Sequence, residues 1–474
     1  MKKIGKIFRT KLKEWAECSS IHAIPNISRN ESIIIKILWA ICFLIAMAYC
    51  LYGLTCTTIS FFNYETNSQI TFYRVSSIEF PTVSFCNKKT TRINNQTSLS
   101  MAYALKGLKY RSFAYPNFNR TSLEAVKEIE FYIAYGIDQL KFTAEQKNSV
   151  SMSLDEMLIN CRFNDITCSK EDFNYFFLPA YGNCYSFSSK KIINSSGRTN
   201  GLTLELFLGY ESSKYDVNRL LGAHFFIHNS STSSIDEDGG FGIPIGYLSE
   251  IVINQFFNEK LPKPHGNCVQ NESLFDSFLF KITVETTKKY EQKQCLSFCY
   301  QKYVIEQCKC YDPTKRTYGN YTVCNDLNCL ENAYKEFYDT GTSSECFDYC
   351  PPECTSVHYN LQISQSNFPS AAYADLLMIY DQNMNFYRNF VNYENVKKST
   401  LALNIYFEDI GYTVIRETPA KTFEQYFGEI GGFMGLCIGT SILSFVEIIE
   451  LTIQVILEYF KPRNKIIIVD SLNK

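Results

Sequence analysis

One stretch near the C-terminus limits what this chain can become: Gly428-Glu-Ile-Gly-Gly-Phe-Met-Gly-Leu-Cys-Ile-Gly-Thr-Ser441, continued by Ile-Leu-Ser-Phe-Val-Glu447-Ile-Ile-Glu450-Leu-Thr-Ile. Apart from Glu429, Glu447, Glu450 and Gln454, the run is apolar or small as far as Leu457, long enough to cross a bilayer as a helix. Gly428, Gly432, Gly435 and Gly439 recur at helical spacing, so they share one face and permit close approach of another helix. A carboxylate at membrane depth is costly unless it faces water, a partner or an ion path. A span that combines a glycine face with acidic residues has the character of a pore helix.

A second apolar segment runs from Ile33 to Thr57, with Lys36 as its only charge, close enough to the end to snorkel. It follows Lys2, Lys3, Lys6, Arg9, Lys11 and Lys13, a positive-inside flank, and it is too long and too far from the N-terminus for a typical cleaved signal peptide. Lys461, Arg463 and Lys465 follow the other span. The expected layout is a cytosolic segment over 1–32, a transmembrane helix over 33–57, an extracellular domain over 58–426, a second transmembrane helix over 427–459 and a cytosolic tail over 460–474, in the plasma membrane.

The net charge of −2 gives no sign of nucleic-acid binding, whereas the cysteines are informative. Of 19, all but Cys18, Cys42, Cys50, Cys56 and Cys437 fall between Cys86 and Cys354, in the interval between the apolar segments. The same interval holds glycosylation acceptors at Asn95, Asn119, Asn194, Asn229, Asn271 and Asn320. Asn26 and Asn30 carry the same signature on the basic side, so the motif alone does not decide; together with the cysteines it indicates an oxidised, extracellular middle.

Within that middle, Gln69–Val75, Phe80–Cys86, Gly201–Leu208, Ala223–His228, Leu401–Phe407 and Tyr412–Arg416 read as strands, and windows between Leu99 and Ile159, including Ser122–Phe131, read as helix. Ser230 to Gly242 reads as an exposed loop. The fold class is therefore a membrane protein of α+β type, a β core decorated by helices. From Cys268 to Cys354 the cysteines crowd together, and Cys295 and Cys299, four apart on a helix, place both sulfurs on one face. That suits a ladder of cross-links; a zinc cluster is the competing reading, disfavoured by scarce histidine and an oxidising compartment.

Taken together, these residues resemble the superfamily of degenerins, epithelial sodium channels and acid-sensing ion channels, from about His22 to Glu450. The markers are Phe80-Pro-x-Val-x-Phe-Cys86-Asn, Cys161 with Cys168, Gly182-x-Cys184-Tyr-x-Phe187, Gly201-Leu, Leu261-Pro-x-Pro-x-Gly-x-Cys268, the Tyr290, Cys295, Cys299 series, Cys308-x-Cys310, Cys350-Pro-Pro-x-Cys354, Phe368-Pro-Ser370 and Gly439-Thr440-Ser441. The resemblance implies a homo- or heterotrimer around a central pore, each subunit with palm, β-ball, knuckle, finger and thumb, the thumb over about 268–354. It also implies the disulfides Cys86–Cys184, Cys161–Cys168, Cys268–Cys354, Cys295–Cys350, Cys299–Cys346, Cys308–Cys329 and Cys310–Cys324; spacing alone leaves that connectivity open.

In such channels Gly-x-Ser forms the narrow part of the pore, where the helix is interrupted and carbonyls face the ion. Here Gly439, Thr440 and Ser441 would take that role, with Gly428, Glu429, Gly432 and Gly435 in the gate and outer pore and Glu447 and Glu450 below the filter attracting cations. The permeant ion would be sodium, amiloride the pore blocker, and no cofactor is implied. One departure concerns the cytosolic re-entrant segment, which in the family carries His-Gly and here reads His22-Ala23; alanine would be strained there if the position needs a positive φ. Another is His265, which stands where acid-sensing members have an aromatic touching a tyrosine above the first span, here Tyr64.

No histidine lies between Tyr64 and Cys86, which disfavours gating by protons. Compactness and heavy use of Asn, Ile, Lys and Tyr resemble the cnidarian channels opened by neuropeptides ending in Arg-Phe-amide, and Asp236-Glu237-Asp238 offers acidic surface to such a peptide. Proton or mechanical gating within the same superfamily is the alternative. An ATP-gated trimer would need another cysteine layout and a basic nucleotide site; a cysteine-rich surface receptor without a pore would not need Gly-x-Ser. No nucleophile motif, phosphate loop or metal signature suggests an enzyme.

Overall fold

The computed structural model describes residues 2–87, 152–178, 181–187, 190–209, 221–229, 239–270, 275–287, 289–380 and 392–460, together with residues 131, 134, 135, 143 and 148. The chain divides into two compact units, one of Met1–Asn67 with Thr418–Lys474, the other of Ser68–Glu417.

The first unit is helical. Lys2–Cys18 (α1) and the short Ile24–Arg29 (α2) precede the 30-residue apolar helix Ile33–Phe62 (α3). At about 1.5 Å per residue α3 exceeds the ~30 Å hydrocarbon layer, and only Cys50, Gly53 and Thr57 along it are buried, as suits a helix facing lipid. The other apolar segment is a helix pair, Phe423–Ile438 (α4) and Ile442–Phe460 (α5), bent by 71° at the intervening residues.

The second unit is built on two sheets. The larger has seven strands in the order β13 (Thr355–Asn367), β12 (Tyr247–Glu259), β14 (Thr400–Pro419), β9 (Leu202–Phe207), β4 (Leu158–Phe163), β5 (Ile166–Thr167), with β1 (Thr66–Arg74) added along β14. The smaller runs β11 (Phe241–Ile243), β10 (Ala223–His228), β3 (Thr82–Asn87), β7 (Gly182–Phe187), β6 (Phe173–Leu178), and β2 (Ile78–Glu79) pairs with β8 (Ile192–Ile193). Alternate residues of β9 and of the first part of β14 enter the core: Leu202, Leu204 and Leu206 opposite Ile405, Leu403 and Leu401, with Phe407 just beyond the pairing, closed by Phe80, Phe85, Phe187 and Phe225.

The structure revises three expectations. The two strands expected around 401–407 and 412–416 are one strand, β14, of 20 residues. The helical windows between Leu99 and Ile159 lie largely outside the described residues; of what is described, Phe131, Ala134, Tyr135 and Asn148 are helical and Leu154–Met157 is one helical turn, whereas Leu158 and Ile159 belong to β4, drawn into the sheet by pairing with β9. Asp236, Glu237 and Asp238 also lie outside the described residues, and the expected loop ends earlier than Gly242, because Phe241 and Gly242 pair with β10 as part of β11.

Seven disulfides form. Cys86–Cys184 joins residues directly opposite each other on β3 and β7, and Cys161–Cys168 closes the β4–β5 hairpin. Helix Gln292–Cys308 is tied by Cys295–Cys350 and Cys299–Cys346 to the helix Thr342–Tyr349 and the residue after it, by Cys308–Cys329 to the helix Leu327–Asp339, while Cys310–Cys324 and Cys268–Cys354 close the flanking loops. The sulfurs are spent on each other, which removes the zinc reading. Fully buried Gln301 adds polar order, exchanging hydrogen bonds with the backbone of Asp312 at 2.9 and 3.0 Å. Of the glycosylation acceptors, Asn194 and Asn320 are exposed and Asn229 is half-buried; Asn95, Asn119 and Asn271 lie outside the described residues.

Candidate pore segment

Thr422 and Gln425 start α4 with a reciprocal cap: Gln425 N–H donates to Thr422 Oγ1 at 3.3 Å, and Thr422 N–H to Gln425 Oε1 at 3.0 Å. The helix then packs on α3. Phe433 lies over Gly53, the only glycine of α3, so closely that a Cβ at Gly53 would stand 2.5 Å from the ring. Higher up, Tyr426 stacks on Phe61 at 4.4 Å and its hydroxyl is 3.2 Å from Thr58 Oγ1.

Glu429, one of the costly carboxylates, is held in this interface: its Oε2 accepts from Lys421 Nζ at 2.7 Å and from Thr57 Oγ1 at 3.1 Å. A salt bridge and a hydroxyl donor replace much of the lost hydration. The glycine face points elsewhere. A Cβ placed on Gly428 or Gly432 meets nothing within 4 Å, and one on Gly435 meets only the Thr440 carbonyl at 3.8 Å. The face expected to receive a helix is therefore not the one that receives α3; that contact is made by Phe433 against Gly53.

The helix stops at Ile438 because Gly439 turns left-handed, with φ 68° and ψ 19°. Gly439 N–H bonds the Gly435 carbonyl at 3.1 Å, the bond of an αL helix end, and Thr440 N–H bonds the Met434 carbonyl at 3.2 Å. Thr440 Oγ1 donates to the same Met434 carbonyl at 3.2 Å. Ser441 N–H donates to Ser444 Oγ at 3.1 Å and its carbonyl accepts from Ser444 N–H at 3.0 Å, starting α5. Among the described residues the carbonyl oxygens of Gly439 and Thr440 accept no hydrogen bond.

The N-terminal turn between α1 and α2 lies against this break. His22 N–H donates to the Ile438 carbonyl at 3.0 Å, and the His22 ring covers Gly439, where a Cβ would stand 2.5 Å from it. Ser20 Oγ is 2.6 Å from Ser444 Oγ, and Ser20 N–H donates to Glu447 Oε2 at 3.1 Å. Ala23, buried, has φ 74° and ψ −36°, the positive φ that alanine disfavours. Glu450 lies one turn beyond Glu447, exposed, accepting from Gln454 Nε2 at 2.9 Å.

Comparison with known proteins places this arrangement. The family model described as "Amiloride-sensitive sodium channel" matches residues 15–451. The chain belongs to that family. It is 23% identical to the bile acid-sensitive ion channel of Homo sapiens, over 92% of this chain and 84% of that one, and 25% identical to acid-sensing ion channel 2 of Mus musculus, over 96% and 88%. With the epithelial sodium channel subunit alpha of Cavia porcellus it shares 27% identity over 66% of this chain, which spans only 47% of that relative. A solved proton-activated chloride channel aligns with a TM-score of 0.34 at 6% identity, over 89% of this chain and 98% of that one, too remote to bear on fold or function. The family consists of ion channels, not enzymes, and its members are plasma-membrane proteins with two transmembrane helices.

Of the residues singled out in the sequence, this family member brings His22, Gly435, Gly439, Thr440, Ser441 and Glu447 together at the break. Tyr64 and His265 belong to different units: Tyr64 has φ 53° just after α3, and His265 N–H donates to the Pro262 carbonyl at 3.2 Å in the loop before Cys268. Sequence reasoning missed Ser20, Thr57, Lys421, Ser444 and Phe433. Only Phe433 had a legible signal: a single glycine in an otherwise bulky span marks a point of close approach.

Proposed function

We propose that this chain is a pore-forming subunit of a trimeric, sodium-selective, amiloride-blocked channel with cytosolic termini. The filter is Gly439-Thr440-Ser441, and the observation that carries the assignment is the left-handed Gly439, after which two carbonyl oxygens in the middle of an apolar segment have no donor among the described residues. Such oxygens at a membrane break are suited to a partly dehydrated cation. Gly428, Gly432 and Gly435 face away from α3 and supply the gate, and Glu447, anchored by Ser20, and Glu450 add negative potential at the inner end.

The stimulus we assign is an extracellular peptide ending in Arg-Phe-amide, as in the cnidarian channels that the composition resembles. Similarity to acid-sensing and bile acid-sensitive relatives is nearly equal and does not select a stimulus. In support of a peptide, the second unit has a cleft of about 1290 Å³ with aromatic walls, including Phe226, Phe257, Tyr290 and Phe337, whose lining carries both Glu259, Glu291 and Glu353 and Lys289, Lys293 and Lys315, so the aromatic surface and not net charge is what suits a peptide. The exposed acceptors Asn194 and Asn320 are sites for glycans on the same unit.

The test is recording from oocytes expressing the chain alone and with related subunits, under a panel of amidated peptides and pH steps. Peptide-evoked, amiloride-blocked sodium current is expected; surface channels answering only to acid would remove the peptide while leaving the pore assignment intact. Substitution of Ser441 by Trp in an active channel should abolish or deselect the current, and unchanged selectivity and conductance would refute the filter.

A further inference from the structure

Two thiols outside the seven disulfides meet between the membrane-spanning helices. Cys50 on α3 is 2% exposed and Cys437 on α4 is half-buried. The Cys437 thiol acts on that of Cys50. The surrounding packing holds them there. Cys50 and Gly53 share one face of α3, Phe433 and Cys437 share one face of α4, and Phe433 is pressed on Gly53. Tyr49 meets the same Phe433 ring edge-on at 6.4 Å. Cys18, Cys42 and Cys56, the other thiols without a disulfide, are exposed.

We infer that Cys50 and Cys437 are an oxidation site, forming a reversible intrachain disulfide that ties α3 to the last turn of α4, immediately before Gly439. The oxidant is a hydroperoxide. Cys437, the more open thiol, attacks as thiolate the terminal peroxide oxygen; the O–O bond breaks, the thiol becomes a sulfenic acid and the departing oxygen takes a proton. Cys50 then attacks the sulfenic sulfur, and the hydroxide that leaves takes the Cys50 proton as water. Two thiols lose two electrons, and one peroxide bond accepts them. The consequence is mechanical: Ile438, whose carbonyl is bound by His22, and the left-handed Gly439 beyond it can no longer shift along α3.

The experiment uses the full chain in cell membranes, treated with hydrogen peroxide, alkylated with N-ethylmaleimide and digested without reduction for mass spectrometry. We expect a linked peptide pair containing Cys50 and Cys437, absent from untreated membranes and lost on dithiothreitol, with alkylation of both residues falling together by roughly tenfold. In Cys50→Ser the sulfenic acid on Cys437 should persist long enough for capture by dimedone, and in Cys437→Ser Cys50 should stay alkylatable. The inference is overturned if both residues in the unsubstituted chain alkylate after peroxide as before, or if Cys437 is found joined to Cys42 or Cys56. Should a serine variant fail to reach the surface, the linked peptide in the unsubstituted chain still decides. The result is independent of which stimulus opens the channel.

Discussion

Single residues fix the break between α4 and α5, and Gly439 is constrained twice: by its left-handed backbone and by the His22 ring in the space a Cβ would occupy. Gly439→Ala would cost about 1–2 kcal/mol in backbone conformation alone, before His22 is displaced. We expect current per surface channel to fall at least tenfold, read by recording against surface biotinylation; undiminished current would show that His22 and Gly439 do not depend on each other. Ala23 sits at the opposite extreme, a side chain in a conformation glycine adopts freely. Ala23→Gly should recover about 1 kcal/mol and raise single-channel open probability. The family motif made His22-Ala23 legible as a departure, and the positive φ gives it a physical meaning. Ser20 and Ser444, by contrast, carry no local signal: their hydroxyls meet across 424 residues of sequence, and no periodicity reports such a contact.

Elements show how far pattern reaches. Pattern revealed β3, β9 and β10, which enter the core, and β1, which stays largely exposed but carries most of the β-rich run Gln69–Val75. It divided β14 wrongly, since Glu408-Asp409-Ile-Gly411 reads as a turn. Gly411 is in fact a point of close approach, where a Cβ would be 2.6 Å from the Tyr73 carbonyl on β1, so the glycine serves the neighbouring strand and does not break its own. The same logic governs α3 and α4. Gly53→Leu should force Phe433 away at about 1–3 kcal/mol, lowering the thermal midpoint of the detergent-solubilised protein, and adding Phe433→Ala should restore part of the loss. The stapled helices owe their rigidity to covalent ties. Replacing Cys295 and Cys350 together by serine should cost about 2–5 kcal/mol, visible as earlier unfolding on heating; an unchanged midpoint would mean that packing around Phe298 and Tyr290 suffices.

At the scale of the whole molecule, the second unit should lose stability in acid. His228 is half-buried, and desolvation pushes its pKa below the usual histidine value, only partly opposed by the Asn229 carbonyl; desolvation acts in the same direction on His358. Each is therefore neutral when folded, and the unfolded chain binds the extra proton first. The stability is present above about pH 6.5 and is lost as pH falls from there through the lower folded value. Unfolding temperatures should drop between pH 7.5 and 5.5, and His228→Gln should flatten that drop; a pH-independent midpoint would rule out a His228 held neutral by the fold. The turn seated against the pore break has another consequence, one of timing. Ser20 leaves the ribosome 427 residues ahead of Glu447, which accepts its N–H, so at roughly 5–20 residues per second the turn waits about 20–85 s for its partner. Docking of the N-terminal turn is thus a late event in biogenesis, and a cell that inspects Ser20 to Ala23 for exposure would be inspecting whether the channel had been finished.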